Sequence, residues 1–381
     1  MSLEGELVVR LAWDGQRVQE ARVASTRPFA AARVLKGKTP VEAVAMVPRL
    51  FSICGCAQSS AAAQALASAG ASFDDATPAT DVVLETVQEY FWRLLIDWPQ
   101  TMRHGVDAAS VADVRRRIAD HKNGHDSKRG DDGSAPLGEL VAALSKTAAQ
   151  KIYGMSPAGW LALGDADALQ SWADAGATMP ARLLGLLFST MPQLGRSDVA
   201  LMPFPAREAL MQTIVPALAQ QPEFARAPTW GGLPVETGAL SRVRSQPLVA
   251  AVAARNGNSV ATRMVARLTE LATLLQVLAE SSADAYPASW VQAVALAPGE
   301  GLGAVQTARG LLLHRASVAD GRIADYQIVA PTEWNFHPEG ALVRGLRGLV
   351  TDDGATLEQK ARLTVQALDP CVACAIEVGH A

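Results

Sequence analysis

The side chains best equipped for soft-metal or redox chemistry are four cysteines, standing as two close pairs, Cys54/Cys56 and Cys371/Cys374, at opposite ends of 381 residues. Thiolates bind soft transition metals and attack disulfides. In a reducing compartment, clustered cysteines therefore point to metal or redox chemistry rather than to structural crosslinks. The histidines offer less: His121 and His125 fall in the polar, glycine-rich run from His121 to Ser134 (HKNGHDSKRGDDGS), which is expected to be an exposed loop whose imidazoles ligate nothing.

Each pair sits where an element ends. Thr39-Pro40-Val41-Glu42 has the form of a capping box with proline in the first turn, starting a helix that leads to the first pair, and Ala57 to Ala69 is a second helix directly after it. Near the other end, Thr356 with Gln359 is expected to cap a helix through Leu368, stopped by Asp369-Pro370 just before Cys371. Both pairs are thus expected in tight turns beside helix termini, where backbone amides stabilise thiolate charge.

Alternating polarity from Glu6 to Trp13, then Asp14-Gly15, then an extended run from Arg17 to Ala24 predicts a hairpin with a type I′ turn. The grammar returns in Leu311 to Val318, Asp320-Gly321 and Ile323 to Val329, which suggests a small sheet built from both chain ends. Ala, Leu, Arg, Glu and Gln at helical spacing fill most of the rest. The expected class is α+β, predominantly α, with a helical core and small terminal hairpins. No repeat or composition boundary divides the chain, so residues 1–381 are read as one domain.

An apolar fraction of 49% with 19% charged residues describes a globular chain with a sizeable core. The balance of 34 basic against 38 acidic residues, −4, argues against nucleic acid or an anionic membrane as partner. Met1 to Gln16 carries Glu4, Glu6 and Asp14 where a secretory leader needs a basic start and an apolar stretch, and no stretch approaches the roughly 20 apolar residues of a membrane span. A cytoplasmic location is expected.

The runs Ile53-Cys54-Gly55-Cys56 and Asp369-Pro370-Cys371-Val372-Ala373-Cys374 resemble the first and last signatures of [NiFe] hydrogenase large subunits, I-C-G-x-C-x-x-x-H and D-P-C-x-x-C-x-x-H. Further segments agree in order. Pro234 to Arg242 resembles P-x-E-x-G-P-L-A-R; Thr307-Ala308-Arg309-Gly310 with His314 resembles A-P-R-G-x-x-x-H; Val329 to Asn335 resembles V-P-[ST]-T-W-N; and Leu3-Glu4-Gly5 resembles the opening I-E-G. The departures matter equally. Ala57 stands at the second cysteine of the first signature, Ala61 at its histidine and Glu377 at the histidine of the last, and only four residues follow Glu377. With its large-subunit fold shortened in this way, the chain resembles the hydrogenase expression/formation proteins of the HupK/HoxV type.

That resemblance implies a non-catalytic assembly factor that takes the Fe(CN)2(CO) group, without nickel, from iron-cyanide assembly chaperones and passes it to an apo large subunit. Cys54, Cys56, Cys371 and Cys374 would supply thiolates, with Cys374 in a bridging position, its partner either Cys54 or Cys56, and Cys371 assisting transfer rather than holding the iron permanently. Arg309 and Thr332 would donate to the cyanides, and Pro331 would lie near the carbonyl. Two alternatives compete: a divergent nickel-dependent subunit that activates hydrogen, and a metal-free chaperone that protects the apo subunit.

Overall fold

The computed structural model describes residues 5–27, 29–72, 77–126, 136–203, 205–221, 223–280 and 290–380. Two compact units emerge: Met1–Val82 with Ser197–Arg242 and Pro287–Ala381, and Val83–Arg196 with Val243–Tyr286. All the candidate site residues belong to the first.

In the first unit, Leu7, Val9 and Leu11 alternate with exposed Glu6 and Arg10 along β1 (Glu6–Trp13), as a strand with one buried face requires. It pairs antiparallel with β2 (Val18–Ser25), and its buried face packs on Leu357, Ala361, Val365 and Leu368. The connecting turn differs from the expected type I′. Only Gly15 takes positive φ (97°), and Asp14 Oδ1 instead accepts from the amides of Gln16 and Arg17 at 2.8 and 2.7 Å. This side-chain turn stretches the loop to four residues, with Trp13 facing Val18.

The second hairpin is built as expected. Strands β3 (Val291–Ala297), β4 (Glu300–Thr307), β5 (Gly310–Ala319) and β6 (Arg322–Val329) form an antiparallel meander, and Asp320 and Gly321 both take positive φ, 50° and 71°, in the turn between β5 and β6. It does not join the N-terminal hairpin, however. The strand that brings the chain ends together is β7 (Ala373–His380), parallel to β1 with Leu7 opposite Cys374. Because β7 is an edge strand exposed along most of its length, it has no apolar alternation by which to be recognised.

Helix α1 (Pro40–Leu50) carries the expected capping box: Thr39 Oγ1 accepts from Glu42 N at 3.3 Å, and Glu42 Oε2 accepts from Thr39 N at 2.8 Å. One tight turn later, α2 (Gly55–Ser68) lies on the meander through fully buried Ala57, Ala61, Ala62 and Ala65. Its approach is unusually close. A Cβ on Gly301 or Gly303 would come within 2.1 Å of the carbonyl oxygens of Ala65 and Ala61 respectively. Small residues on both sides thus set the distance between the Cys54 turn and the sheet.

After β6 come α3 (Pro331–Asn335) and α4 (Gly354–Leu368). The N-cap of α4 is Asp353 rather than Thr356: its carboxylate accepts from the amides of Ala355 and Thr356 at 3.3 and 2.8 Å, three residues ahead of the expected cap. The helix ends at Leu368 as expected, with Asp369 in the left-handed region at φ 56°.

The second unit is helical, organised on the 21-residue helix Val260–Glu280, which is buried on most of its faces. Tyr153 donates to Leu268 O at 2.7 Å, Trp160 to Thr269 Oγ1 at 3.2 Å, and Tyr90 to Glu270. The expected loop beginning at His121 is corrected in part. Residues 121–126 continue the helix Ala108–Asp126, and His121 is 3% exposed, packed against the unit rather than solvated; residues 127–135 lie outside the described residues, as does Glu4. Among the described residues, no helix is long and apolar enough to cross a membrane.

Candidate functional site

Cys54 occupies the N-cap of α2 and is 9% exposed, while Cys56 lies in the first turn, half-buried. The free amides of a helix start favour negative charge there, as the sequence suggests. Around Cys54 the wall is dry: Ala57, Ala61, Val305, Leu312 and Ala330. The amide of Gln58 enters it, its Nε2 donating to Cys54 Sγ at 3.6 Å. Gln58 Oε1 lies 2.9 Å from His314 Nε2, and His314 Nδ1 lies 2.7 Å from the Tyr326 hydroxyl. Burial pushes the His314 pKa down to about 3, so the ring is neutral.

Cys371 follows the end of α4 and meets Thr332. The Thr332 Oγ1 accepts from the Cys371 amide at 3.2 Å and sits 3.1 Å from its sulfur. The hydroxyl and the Cys371 thiol are thus hydrogen-bonded, and either can be the donor. Thr332, expected to donate to a cyanide, also holds the Cys371 turn through these two contacts. Arg309, held between β4 and β5, is buried against Asp369, with Nε 3.4 Å from Oδ1 and both side chains at most 3% exposed. Pro331 opens α3 as part of the buried wall.

Asn335 ties these loops together. Its Nδ2 donates to Arg309 O (3.2 Å) and Leu368 O (3.3 Å), and its Oδ1 accepts from Thr237 N at 2.9 Å. Thr237 Oγ1 in turn accepts from Leu311 N at 3.1 Å. Gly310, at φ 125°, has no room for a side chain, since a Cβ would come within 2.3 Å of Thr237 Cγ2. The separate sequence islands thus converge as one hydrogen-bonded frame around the turn that carries Cys371.

Cys374 is the second residue of β7 and packs with Cys371 against the core behind the terminal sheet. Burial pushes its thiol up to about 11, with Arg362 opposing and Glu6 reinforcing the shift, so it is protonated at neutral pH. Among the described residues, no group of three or more His, Cys, Asp and Glu side chains gathers closely enough to hold a metal ion.

The residue that links the two ends is one that sequence reasoning missed. Arg27, just after β2, places Nη1 3.2 Å from Glu333 and also faces the sulfurs of Cys371 and Cys54. Burial alone would lower its pKa, but the charges of Glu333, Cys371 and Cys54 raise it above its ordinary value. Burial likewise raises the Glu333 pKa, with Arg27 opposing. In sequence Arg27 is one basic residue at a strand exit, 306 positions from Glu333, and nothing local marks it. The geometry thus brings Cys54, Cys371 and Thr332 around Arg27, a compact basic site facing two soft donors.

Fold and site together define a protein with the architecture of a hydrogenase large subunit. Residues 218–377 match the family model for nickel-dependent hydrogenase. The Ni-Fe-Se hydrogenase of Desulfovibrio vulgaris Hildenborough is similar over 94% of both chains with a TM-score of 0.56, and that of Desulfomicrobium baculatum over 95% of both with 0.53; at 16% and 14% identity these likenesses concern the fold. Closer in sequence are two relatives. The hydrogenase expression/formation protein HoxV of Cupriavidus necator is 32% identical, over 93% of this chain and 92% of its own length, and HupK of Azotobacter vinelandii is 30% identical, over 92% and 91%. The chain belongs to this family of hydrogenase expression/formation proteins.

Proposed function

We propose that the protein acts in [NiFe] hydrogenase maturation as a non-catalytic scaffold that receives the Fe(CN)2(CO) group and passes it to an apo large subunit. The observation that carries this reading is a large-subunit fold that keeps cysteines at three family ligand positions but has Ala57 at the fourth. Ala57 is fully buried against the meander, so that wall offers no sulfur.

The cargo suits the donors. Low-spin Fe(II) with strong-field diatomic ligands prefers soft thiolates. Two thiolates and two cyanides leave the Fe(II) group with a charge of −2, part of which the Arg27 guanidinium offsets. Thr332 holds Cys371 in place, Arg309 holds the Asp369-Pro370 turn in front of it, and Pro331 and Leu312 keep the surroundings dry. In this reading Cys56 and Cys374 assist entry and departure of the group. On transfer the iron stays Fe(II): each Fe–S bond to the scaffold breaks with its electron pair left on sulfur, and thiolates of the recipient form the new bonds. The upstream partners in this reading are iron-cyanide assembly chaperones, and the setting is the cytoplasm.

Infrared spectra of the protein purified with its assembly partners test the reading. Cyanide and carbonyl stretches with iron but no nickel are expected, and both sets of bands should vanish in Cys371→Ala. Wild-type protein free of iron and of these bands would overturn it. Hydrogenase maturation that survives replacement of all four cysteines would instead identify a metal-free chaperone.

A further inference from the structure

We propose that Gln58, oriented by His314 and Tyr326, is a positioning residue that makes Cys54, rather than Cys56, the resident sulfur donor of the first pair. This deepens the scaffold reading and rests on it for the identity of the cargo. The three side chains are buried, at 2%, 0% and 5% exposure, and come from α2, β5 and β6. Cys56, on the adjoining turn, is half-exposed.

Hydrogen-bond accounting selects one arrangement of this chain. A carboxamide has one donor end and one acceptor end, and a neutral imidazole has one of each. If His314 carries its proton on Nε2, it donates to Gln58 Oε1, the Gln58 NH2 points at Cys54 Sγ, and Tyr326 donates to Nδ1. Every group is then satisfied. If the proton sits on Nδ1, Tyr326 must accept it, its own hydroxyl hydrogen has no acceptor among the described residues, and Gln58 must turn its oxygen toward Cys54. Leaving a buried hydroxyl unpaired carries its desolvation penalty, which favours the first arrangement by about fivefold to a hundredfold. The neutral ring, with its pKa near 3, cannot donate from both nitrogens. The amide is therefore locked donor-first onto Cys54, an arrangement that suits a thiolate and draws electron density from it when it binds a metal.

Two measurements decide the matter. In loaded protein, Cys56→Ala should retain the cyanide and carbonyl bands and Cys54→Ala should lose them. Gln58→Met, similar in volume but without the donor, should move the carbonyl stretch to lower wavenumber, because a sulfur relieved of its hydrogen bond donates more charge to iron. Unshifted bands in Gln58→Met, or bands lost in Cys56→Ala and kept in Cys54→Ala, would overturn the proposal. In unloaded protein, nitrogen NMR of labelled histidine should show His314 purely as the Nε2–H tautomer, and as a mixture of tautomers in Gln58→Met; a wild-type Nδ1–H ring would overturn it with or without iron. Tyr326→Phe, a milder change should Gln58→Met fail to fold, should also yield the mixture. Absence of bands from wild-type protein with the tautomer as stated would bring down the cargo and not the hydrogen-bond arm.

Discussion

Replacing Gly303 with alanine should push α2 off the sheet. Gly303 lies in the middle of β4 without a positive φ, and an alanine at such a position ordinarily stabilises by about 0.5–1 kcal/mol. Here the added Cβ would stand 2.1 Å from Ala61 O, 2.9 Å from Ala65 N and 3.0 Å from Ala61 C, all backbone atoms of α2 that no rotamer change can move. Ordinary carbon–oxygen contacts begin at about 3.3 Å, so the helix must retreat by about 1 Å. Overpacking of this kind costs about 1–3 kcal/mol, with the upper end expected because the obstacle is main chain. For a unit of roughly 200 residues, that lowers the unfolding midpoint by about 6–12 °C. Thermal unfolding followed by circular dichroism is the assay. Gly379→Ala serves as control, since no atom lies within 4 Å of its would-be Cβ. If the two alanine variants unfold at the same temperature, the helix is not seated on glycine and the account of what positions Cys54 fails.

Three further outcomes are expected. His314 has a folded pKa of about 3 against about 6.5 unfolded, so the unfolded chain binds the extra proton: its contribution is intact above pH 6.5 and is lost as pH falls toward 3, about 2 kcal/mol by pH 5, and denaturant titrations should find that loss missing from His314→Gln. Arg27→Leu leaves Glu333 buried without its cation and should cost about 3–5 kcal/mol near neutral pH; since burial raises the Glu333 pKa, stability should recover as pH falls, and Glu333→Gln should rescue the variant at neutral pH. Asp353→Ala should cost about 1 kcal/mol in urea unfolding by removing the cap of α4.

The cysteine pairs and their neighbours were legible because turn and capping chemistry is local. The box at Thr39 and Glu42, the stop at Asp369-Pro370 and the turn at Asp320-Gly321 each depend on residues within a few positions of one another. The same locality explains the misses. Asp14 and Asp353 each capture backbone amides ahead of the pattern read from the sequence, a competition between short-range hydrogen bonds that composition cannot rank. His121 looked solvated because its neighbours in sequence are polar, yet the helix turns it inward.

By itself, then, the sequence determined the class of fold, the family and the two cysteine turns, because all of these are written in short motifs and their order along the chain. The tertiary structure alone decided which groups attend those cysteines. Only the folded chain brings Arg27 beside Glu333, seats α2 on Gly301 and Gly303, sets His314 against Gln58, and makes β7 rather than the second hairpin the partner of β1. Those contacts join residues up to several hundred positions apart, and burial rather than residue type gives them their charge state and direction.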